Sequence, residues 1–388
     1  MRIVLVTGEY PPMQGGVGDF TRELARALAA MGHVPHIFTS PAAGAPAHET
    51  DGAVSVHRVA SAWGWATRRE LEAFAKSIRA DVINLQYQAA AYQMHAAINV
   101  LPGALARRIP LTVTFHDLRV PYLFPKAGPL RWRAIVGMAR GASACIVTNS
   151  EDMAALRRVR VAASHLVPIG SNVRPDGLDG YNRAAWLRER GIPNDLALIG
   201  YFGFLNESKG AETLMRALAI LRDRGANVGV LHIGGQTGAS DPTNAEHAQR
   251  LRALGAENGA GPFWFETGFL EPPDVSAGFA SCACVALPYR DGASFRRGTL
   301  MAAIAHGAAI VTTWPRVSVP EFVSGSNMLM LEPDAARPLA DTLAVLLNAP
   351  ILRTRLQAGA TQLRGLFAWP KIARQTAEVL AQTMAQTE

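Results

Sequence analysis

Two segments in the second half of the chain combine basic side chains with glycine at the predicted start of a helix. In YFGFLNESKGAETL, a predicted strand ends at Gly203, and Lys209 stands just before a helix. In SFRRGTL, Arg296 and Arg297 stand directly before Gly298 and an apolar helix. Helix N-termini carry a partial positive charge, and guanidinium groups bind phosphate in a bidentate manner. Both segments therefore predict anion binding, and a solvent-exposed basic surface is the alternative.

A glycine-rich segment near the N-terminus, GEYPPMQGGVGDF, follows the first predicted strand and begins a helix. Gly15 and Gly16 let the backbone approach a ligand closely, and the start of the helix is expected to offer free N–H groups to a diphosphate. The segment lacks both the G-x-G-x-x-G spacing of dinucleotide-binding folds and the G-K-[ST] of a P-loop. A flexible glycine-rich connection is the alternative.

A histidine and an aspartate end the segment TVTFHD, and they lie at the carboxyl end of a predicted parallel strand. Ligands of open α/β sheets bind at that edge. His116 there could hydrogen-bond a sugar hydroxyl or orient a reacting group, and Asp117 lies beside it. A purely structural histidine is the alternative.

Composition places the chain among globular proteins with more than one domain. It has 388 residues, of which 49% are hydrophobic and 18% charged, enough for two α/β domains and too apolar for disorder. The net charge of +7 favours acidic partners such as nucleoside diphosphates, anionic lipids or nucleic acid, and a generally basic protein is the alternative. No nucleic-acid-binding motif accompanies the charge, so we expect no nucleic acid partner.

The cysteines and the N-terminus bear on location. The three cysteines suggest no disulfide framework, which favours a reducing compartment, and Cys282 and Cys284 alternate in an apolar run that predicts buried packing. The opening MRIVLVTGEYPP is too short an apolar run for a signal peptide, and the chain has no run of about 18 apolar residues. We expect a cytoplasmic protein that can contact the inner face of the membrane.

Short runs rich in Val and Ile recur along the chain, as in parallel strands buried on both faces. In the first half they are Ile3–Val6, Val34–Phe38, Val54–Val59, Val82–Leu85, Leu111–Phe115, Ala144–Val147 and His165–Val167. In the second half they are Leu196–Phe202, Val228–Ile233, Phe263–Glu266, Cys284–Leu287 and Ala309–Thr312. Helical periodicity marks Asp19–Met31, Glu212–Leu221 and Leu300–His306, and a Gly- and Pro-rich linker occupies 167–182. The pattern predicts two doubly wound domains in series.

The four motifs, taken in this order and spacing, resemble those of the retaining glycosyltransferases of family 4, which have the GT-B fold. The resemblance covers nearly the whole chain. It includes the G-x-L-x-x-x-K-G segment that starts at Gly203, TGFLEPPDVSAGFASC at 267–282 and FAWPKIA at 367–373.

The resemblance implies an α/β protein of the GT-B fold, in which two doubly wound Rossmann-like domains face each other across a cleft. The first domain, 1–172, would bind the acceptor, and the second, 173–365, would bind the nucleotide sugar. A C-terminal helix in 366–388 would cross back to pack on the first domain.

The resemblance also implies the chemistry. The donor would be a nucleoside diphosphate sugar, most often of uridine or guanosine, used without a metal or another cofactor and with retention of anomeric configuration. His116 would contact the donor sugar, while Lys209 and Arg297 would stabilise the leaving diphosphate. The implied substrate-binding residues are Gly15, Gly16, Asp117, Gly203, Phe269, Ser294, Arg296, Gly298 and Thr299.

The chain departs from the family pattern at three positions. Two glutamates separated by seven residues are usual in the family, and Ser294 and Ala302 occupy their places. Phe204 replaces the usual arginine. Our hypothesis is that Arg296 and Arg297 replace the lost arginine. A catalytically weak or inactive nucleotide-sugar-binding protein is therefore one alternative function, and a sugar-nucleotide epimerase is another.

The sequence does not identify the acceptor, which could be a sugar, a lipid-linked molecule or another small molecule. In this fold the acceptor is bound by variable loops, here 60–69, 86–94 and 120–133. Tyr87 and Tyr92 in the second loop suit a sugar or a packed core equally. Lys126, Arg131 and Arg133 favour a membrane surface or a phosphorylated acceptor.

Overall fold

The structure, a computed structural model, describes residues 1–13, 15–118, 128–175, 177–235 and 242–385, without the side chains of 128–129 and 242–245. The chain forms two compact units. Unit 1 comprises Met1–Gly170 and Ala368–Glu388, and unit 2 comprises Ser171–Phe367. Each unit has its own sheet flanked by helices, so the predicted fold class of two Rossmann-like α/β domains is confirmed.

Unit 1 contains an eight-stranded sheet. Its strands are β1 (Arg2–Val6), β2 (Val34–Thr39), β3 (His48–Asp51), β4 (Val54–Arg58), β5 (Val82–Tyr87), β6 (Leu111–Phe115), β7 (Ala144–Val147) and β8 (Ser164–Leu166). The strand order is β3-β4-β2-β1-β5-β6-β7-β8, and only β3 runs antiparallel to its neighbour. The apolar runs predicted all seven parallel strands. They missed β3, HETD, because a partly exposed edge strand needs no apolar residues.

Five helices of unit 1 follow its strands in the chain. They are α1 (Gly16–Ala30), α2 (Thr67–Ser77), α3 (Ala97–Leu105), α4 (Gly128–Gly141) and α5 (Ser150–Arg158). Helix α1 buries Phe20, Leu24 and Leu28 at helical spacing. It ends before Gly32, whose φ of +84° is the left-handed conformation that glycine adopts easily after a helix.

Unit 2 contains a six-stranded parallel sheet. Its strands are β9 (Ala197–Phe202), β10 (Val228–Ile233), β11 (Trp264–Glu266), β12 (Cys284–Leu287), β13 (Ile310–Thr313) and β14 (Leu329–Leu331). The order β11-β10-β9-β12-β13-β14 is the 3-2-1-4-5-6 order of dinucleotide-binding folds. Its helices are α6 (Arg183–Glu189), α7 (Ala211–Asp223), α8 (Pro242–Glu257), α9 (Pro272–Ser281), α10 (Gly298–Ala305), α11 (Ala336–Asn348) and α12 (Pro350–Arg364).

The last helix, α13 (Trp369–Ala385), belongs to unit 1 and packs against α1. The Trp369 ring lies 5.2 Å from the Phe20 ring, and Ile372 and Leu380 are buried in the same core. The predicted return of the C-terminal helix to the first domain is therefore confirmed.

Two aromatic residues that were assigned to an acceptor loop are part of the core of unit 1. Tyr87 ends β5, and Tyr92, only 1% exposed, donates its hydroxyl to the carbonyl oxygens of Val6 and Gln86. Of the two interpretations of this segment, packing is correct. Most of the loop 120–133, including Lys126, lies outside the described residues.

Candidate functional sites at the strand ends

Unit 2 has a switch point between β9 and β12. The strands β10 and β11 lie on one side of β9, and β12 to β14 lie on the other side. Ligands of such sheets bind at the carboxyl ends of these strands. Gly203 follows β9 with a φ of +97°. A Cβ atom there would lie 2.6 Å from Cγ2 of Thr299 and 3.1 Å from Nζ of Lys209. Only glycine fits, and the structure thus brings Gly203, Lys209 and Thr299 together.

Lys209 lies in the single helical turn Glu207–Lys209 that leads into α7. Its Nζ donates to the carbonyl oxygen of Phe204 at 2.9 Å. Burial, together with the nearby charge of Arg297, lowers the pKa of Lys209 to about 7. A bound anion would offset both effects, so Lys209 is well suited to hold one.

The two predicted arginines share a carboxylate that the sequence analysis did not identify. Asp291 Oδ1 accepts from Arg297 Nη2, and Asp291 Oδ2 lies 3.5 Å from Arg296 Nη2. All three side chains are at most 14% exposed, so the solvated-surface alternative is wrong. The two guanidinium groups and this carboxylate thus lie together at the start of α10. The signal was the acidic residue in the segment YRDG, just upstream of the arginine pair.

Arg297 links the basic segments to each other. Its Nη1 donates to Ser208 Oγ at 3.3 Å, and its guanidinium carbon lies 4.7 Å from the centre of the Tyr289 ring. The Tyr289 hydroxyl in turn lies 2.6 Å from Oγ1 of Thr299. Lys209, Arg297 and Thr299 therefore form one connected cluster.

The start of α10 is open. Among the described residues, no side-chain capping bond is made by its N-cap residue, and no atom lies within 4 Å of where a Cβ on the exposed Gly298 would be. A helix start of this kind presents backbone N–H groups to an anion. Ala302, one turn into α10, is 1% exposed and packs in the interior. Ser294 Oγ is buried and has no hydrogen-bond partner among the described residues.

The remaining predicted residue of unit 2, Phe269, is 68% exposed. It follows Gly268, which pairs with Gly234, and Gly234 lies against Gly203. Phe269 thus lies on a segment adjoining the cluster, where an exposed ring can stack on a planar base. His232 was not among the predicted residues; its Nε2 lies 2.8 Å from the carbonyl oxygen of Gly203 and holds that peptide in place.

The glycine-rich segment of unit 1 differs from its prediction. The carboxylate of Glu9 accepts from the amides of Val17 at 3.0 Å and Gly18 at 3.3 Å. The prediction of free N–H groups at the start of α1 is therefore wrong for these two amides. A Cβ on Gly15 would lie 2.1 Å from the same carboxylate, whereas Gly16 has open space. The Glu9 carboxylate therefore accounts for glycine at position 15, because it leaves no room for a side chain there.

His116 follows β6, as predicted, and packs edge-on against Phe20 of α1 with ring centres 4.7 Å apart. Its Nε2 lies 2.9 Å from Oε1 of Gln86. Burial lowers the pKa of His116 to about 4, so the ring is neutral at physiological pH. Asp117 is partly buried beside it.

Gln86 and Asn84 were missed as site residues. They alternate along β5, whose six residues are all buried. Polar side chains inside a strand buried on both faces are the signal that would have found them, since buried amides need partners.

Two kinds of feature are absent from the described part of the chain. Among those residues, no helix combines the length and apolar character needed to cross a membrane. Within the same ranges, no three His, Cys, Asp or Glu side chains are grouped in a way that could hold a metal ion.

Family models match both halves of the chain. A glycosyl transferase 4-like domain matches residues 15–171, and the model of glycosyl transferases group 1 matches residues 197–349.

Individual relatives match over nearly the full length. A D-inositol 3-phosphate glycosyltransferase of Nocardioides sp. is 26% identical over 96% of this chain and 86% of its own. Sucrose-phosphate synthase from Thermosynechococcus elongatus superimposes over 100% of both chains with a TM-score of 0.78 and 20% identity. HepE from Anabaena, in complex with UDP and glucose, superimposes over 98% of this chain and 100% of its own, with a TM-score of 0.74 and 18% identity.

Proposed function

The chain belongs to the glycosyltransferases of the GT-B fold, and on that premise we propose that it moves a sugar from a nucleoside diphosphate sugar to an acceptor hydroxyl. We further propose that the anomeric configuration is retained and that no metal takes part. The observation that carries the proposal is the cationic cluster of Lys209, Arg296 and Arg297 at the open start of α10.

The cluster suits a departing diphosphate. When the bond between the sugar and the diphosphate breaks, negative charge grows on the diphosphate oxygens, and fixed cations and amides stabilise that charge. Lys209 supplies a point charge, Arg297 a planar donor pair, and Gly298 and Thr299 the first amides of α10. In this proposal the acceptor hydroxyl bonds to the anomeric carbon, and its proton leaves with the diphosphate.

The other predicted residues would bind the base and the sugar of the donor. We propose that Phe269 stacks on the base, which is uracil or guanine, and that Gly203 and Ser294 line the same site. In unit 1, His116 and Asp117 contact the donor sugar, and Gly16 allows close approach of its backbone. The relative crystallised with UDP and glucose supports uridine as the first base to test.

The acceptor is proposed only as a class. The names of two relatives include a phosphorylated polyol and a phosphorylated sugar product, and this chain carries a net charge of +7. Phosphorylated polyols and sugars are therefore the first acceptors to test, followed by lipid-linked ones. The cysteine usage supports a cytoplasmic location, and a lipid-linked acceptor would require contact with the inner face of the membrane.

The test is release of nucleoside diphosphate from UDP- and GDP-sugars over a panel of such acceptors. Arg297→Met is expected to weaken donor binding about 10- to 100-fold, because a charge-assisted hydrogen bond contributes about 1.5–3 kcal/mol. Arg224→Met is the matched control, since Arg224 pairs with Asp341 on the surface and should leave binding unchanged. NMR of the product reports the anomeric configuration, and activity that survives EDTA supports the metal-free mechanism.

A second candidate is a protein that binds the nucleotide sugar without transferring it. Ala302 favours it, because a buried alanine occupies the place of the usual ribose-binding glutamate. Tight donor binding with no diphosphate release across the acceptor panel would establish this function. Conversion of the donor sugar without any acceptor would instead indicate an epimerase.

A further inference from the structure

A chain of polar side chains runs through the interior of unit 1 between β5 and β6 and ends at His116. Asn84, Gln86 and Thr114 are each at most 2% exposed. Asn84 Nδ2 lies 2.9 Å from Thr114 Oγ1 and 3.3 Å from the carbonyl oxygen of Thr112. Gln86 Nε2 donates to Asn84 Oδ1, and Gln86 Oε1 lies 2.9 Å from His116 Nε2.

The backbone carbonyl at one end of this chain sets the direction of every hydrogen bond in it. A carbonyl oxygen only accepts, so the NH₂ group of Asn84 must face Thr112. Asn84 Oδ1 then faces Gln86 and accepts from its NH₂ group. Gln86 therefore presents its oxygen to His116, and that oxygen can only accept. Reversing any amide would bring two donors or two acceptors together in a buried site, which is costly.

We propose that Asn84 and Gln86 are positioning residues that hold His116 in the Nε2–H tautomer, so that Nδ1 accepts a hydrogen bond from a hydroxyl of the bound sugar. The contact with sugar rests on the proposed function. The tautomer rests only on the side chains of β5 and β6.

The tautomer has a consequence for recognition. The ring is neutral, and a neutral imidazole protonated on Nε2 carries a lone pair on Nδ1. Such a nitrogen can pair with a hydroxyl hydrogen but cannot donate to a fluorine or ether oxygen. The site would thus select a donor sugar whose hydroxyl is intact at the contacted position. A site built around one hydroxyl strongly rejects analogues that lack it.

The experiment measures the tautomer directly in the full chain without ligand. Long-range ¹H–¹⁵N correlation spectra of protein labelled with ¹⁵N-histidine distinguish the two tautomers, and the His116 signals are those absent from His116→Gln. Wild type is expected to show Nε2–H alone. Gln86→Met, which removes the acceptor, is expected to show a mixture of tautomers.

Activity provides the second measurement. Gln86→Met is expected to lower kcat about 10- to 100-fold. Removing a partner that orients a metal-binding histidine has an effect of this size, and here the oriented histidine would bind sugar. Its affinity for free nucleoside diphosphate should not change, because the diphosphate is held by unit 2. A donor deoxygenated or fluorinated at the contacted position should be discriminated less by Gln86→Met than by wild type.

Thr112→Val is the matched control. The Thr112 hydroxyl lies 3.0 Å from the Thr383 hydroxyl, and both are buried. The backbone carbonyl of Thr112 is a separate group, which accepts from Asn84. The variant removes a buried hydroxyl from β6, the strand that pairs with β5, and keeps the backbone carbonyl of residue 112. It is expected to lower the unfolding midpoint and to leave the tautomer as in wild type.

The proposal is overturned if wild type carries the proton on Nδ1. It is also overturned if Gln86→Met keeps a single Nε2–H tautomer, or if Thr112→Val changes the tautomer as Gln86→Met does. A confirmed tautomer with no transfer from any donor would reject the proposed function and leave the positioning role intact.

Discussion

Unit 1 and unit 2 each have a switch point beside their first strand, but they place opposite chemistry there. In unit 2 this edge of the sheet carries Lys209, Arg296 and Arg297, with the carboxylate of Asp291 beside the two arginines. In unit 1 they carry a neutral His116, and the helix start is occupied by a carboxylate of the chain itself. Topology therefore fixes where a site lies, whereas the side chains determine which charge it accepts.

The two sites also differ in the charge that their titratable side chains keep when they are buried. Burial lowers the pKa of both Lys209 and His116. The pKa of Lys209 falls from its usual 10.5 to about 7, so a bound anion can still stabilise the protonated form. The histidine falls to about 4 and stays neutral. Unit 2 is thus suited to phosphate, and unit 1 to hydroxyl groups.

The strongest test of the charged side is Asp291→Ala. Removing the carboxylate breaks its ion pairs with two largely buried arginines, and breaking a buried pair is expected to cost about 3–5 kcal/mol in the free energy of unfolding. Urea denaturation measures the change, and added pyrophosphate should recover part of it by taking the place of the carboxylate.

Asp341→Ala is the control for this change. Asp341 pairs with Arg224 at 2.6 Å, but both side chains are more than 40% exposed, so its loss should cost at most about 1 kcal/mol. Equal losses in the two variants would mean that the Asp291 cluster is no more than a surface ion pair.

A smaller effect is expected from pH. The folded protein without ligand releases the Lys209 proton near pH 7, and the unfolded chain releases it near 10.5, so this residue makes stability rise with pH between those values. A bound diphosphate raises the pKa again. Binding at pH 8 should therefore take up a proton, and affinity should fall up to about tenfold per pH unit above 7.

Isothermal titration calorimetry at pH 8, in two buffers of different ionisation enthalpy, counts the protons taken up. Lys209→Met should bind more weakly and take up no proton through this site. Proton uptake that is the same in wild type and Lys209→Met would assign the titration to another group.

The smallest effect concerns unit 1. Glu9→Ala removes the carboxylate that accepts from the amides of Val17 and Gly18, and we expect a loss of about 0.5–2 kcal/mol in the free energy of unfolding. Glu189→Ala, at the exposed end of α6, should change it by less than about 0.5 kcal/mol.

Glu9→Ala also tests the difference between the units. With its own carboxylate removed, the start of α1 should gain measurable affinity for pyrophosphate, even when Lys209→Met has weakened the site of unit 2. If no such gain is seen, the carboxylate is not what keeps anions from this helix start.

Much of the fold followed from local sequence pattern. Strands such as Leu111–Phe115 and Cys284–Leu287 were predicted at their observed bounds, because short runs rich in apolar and β-branched residues suit strands buried on both faces. Strand β14 was not predicted: it is three residues long and mostly not fully buried, so it leaves a weak signal.

The sequence by itself also determined which residues could bind phosphate, since Lys209, Arg297 and Gly203 carry their chemistry in their type and in their place at the end of a strand or the start of a helix. Only the tertiary structure decided their partners. Gln86 meets His116 across 30 positions because β5 pairs with β6 in one register, and a shift of one residue would turn every side chain to the opposite face. The direction of a buried hydrogen bond depends on such pairings, and no local pattern encodes them.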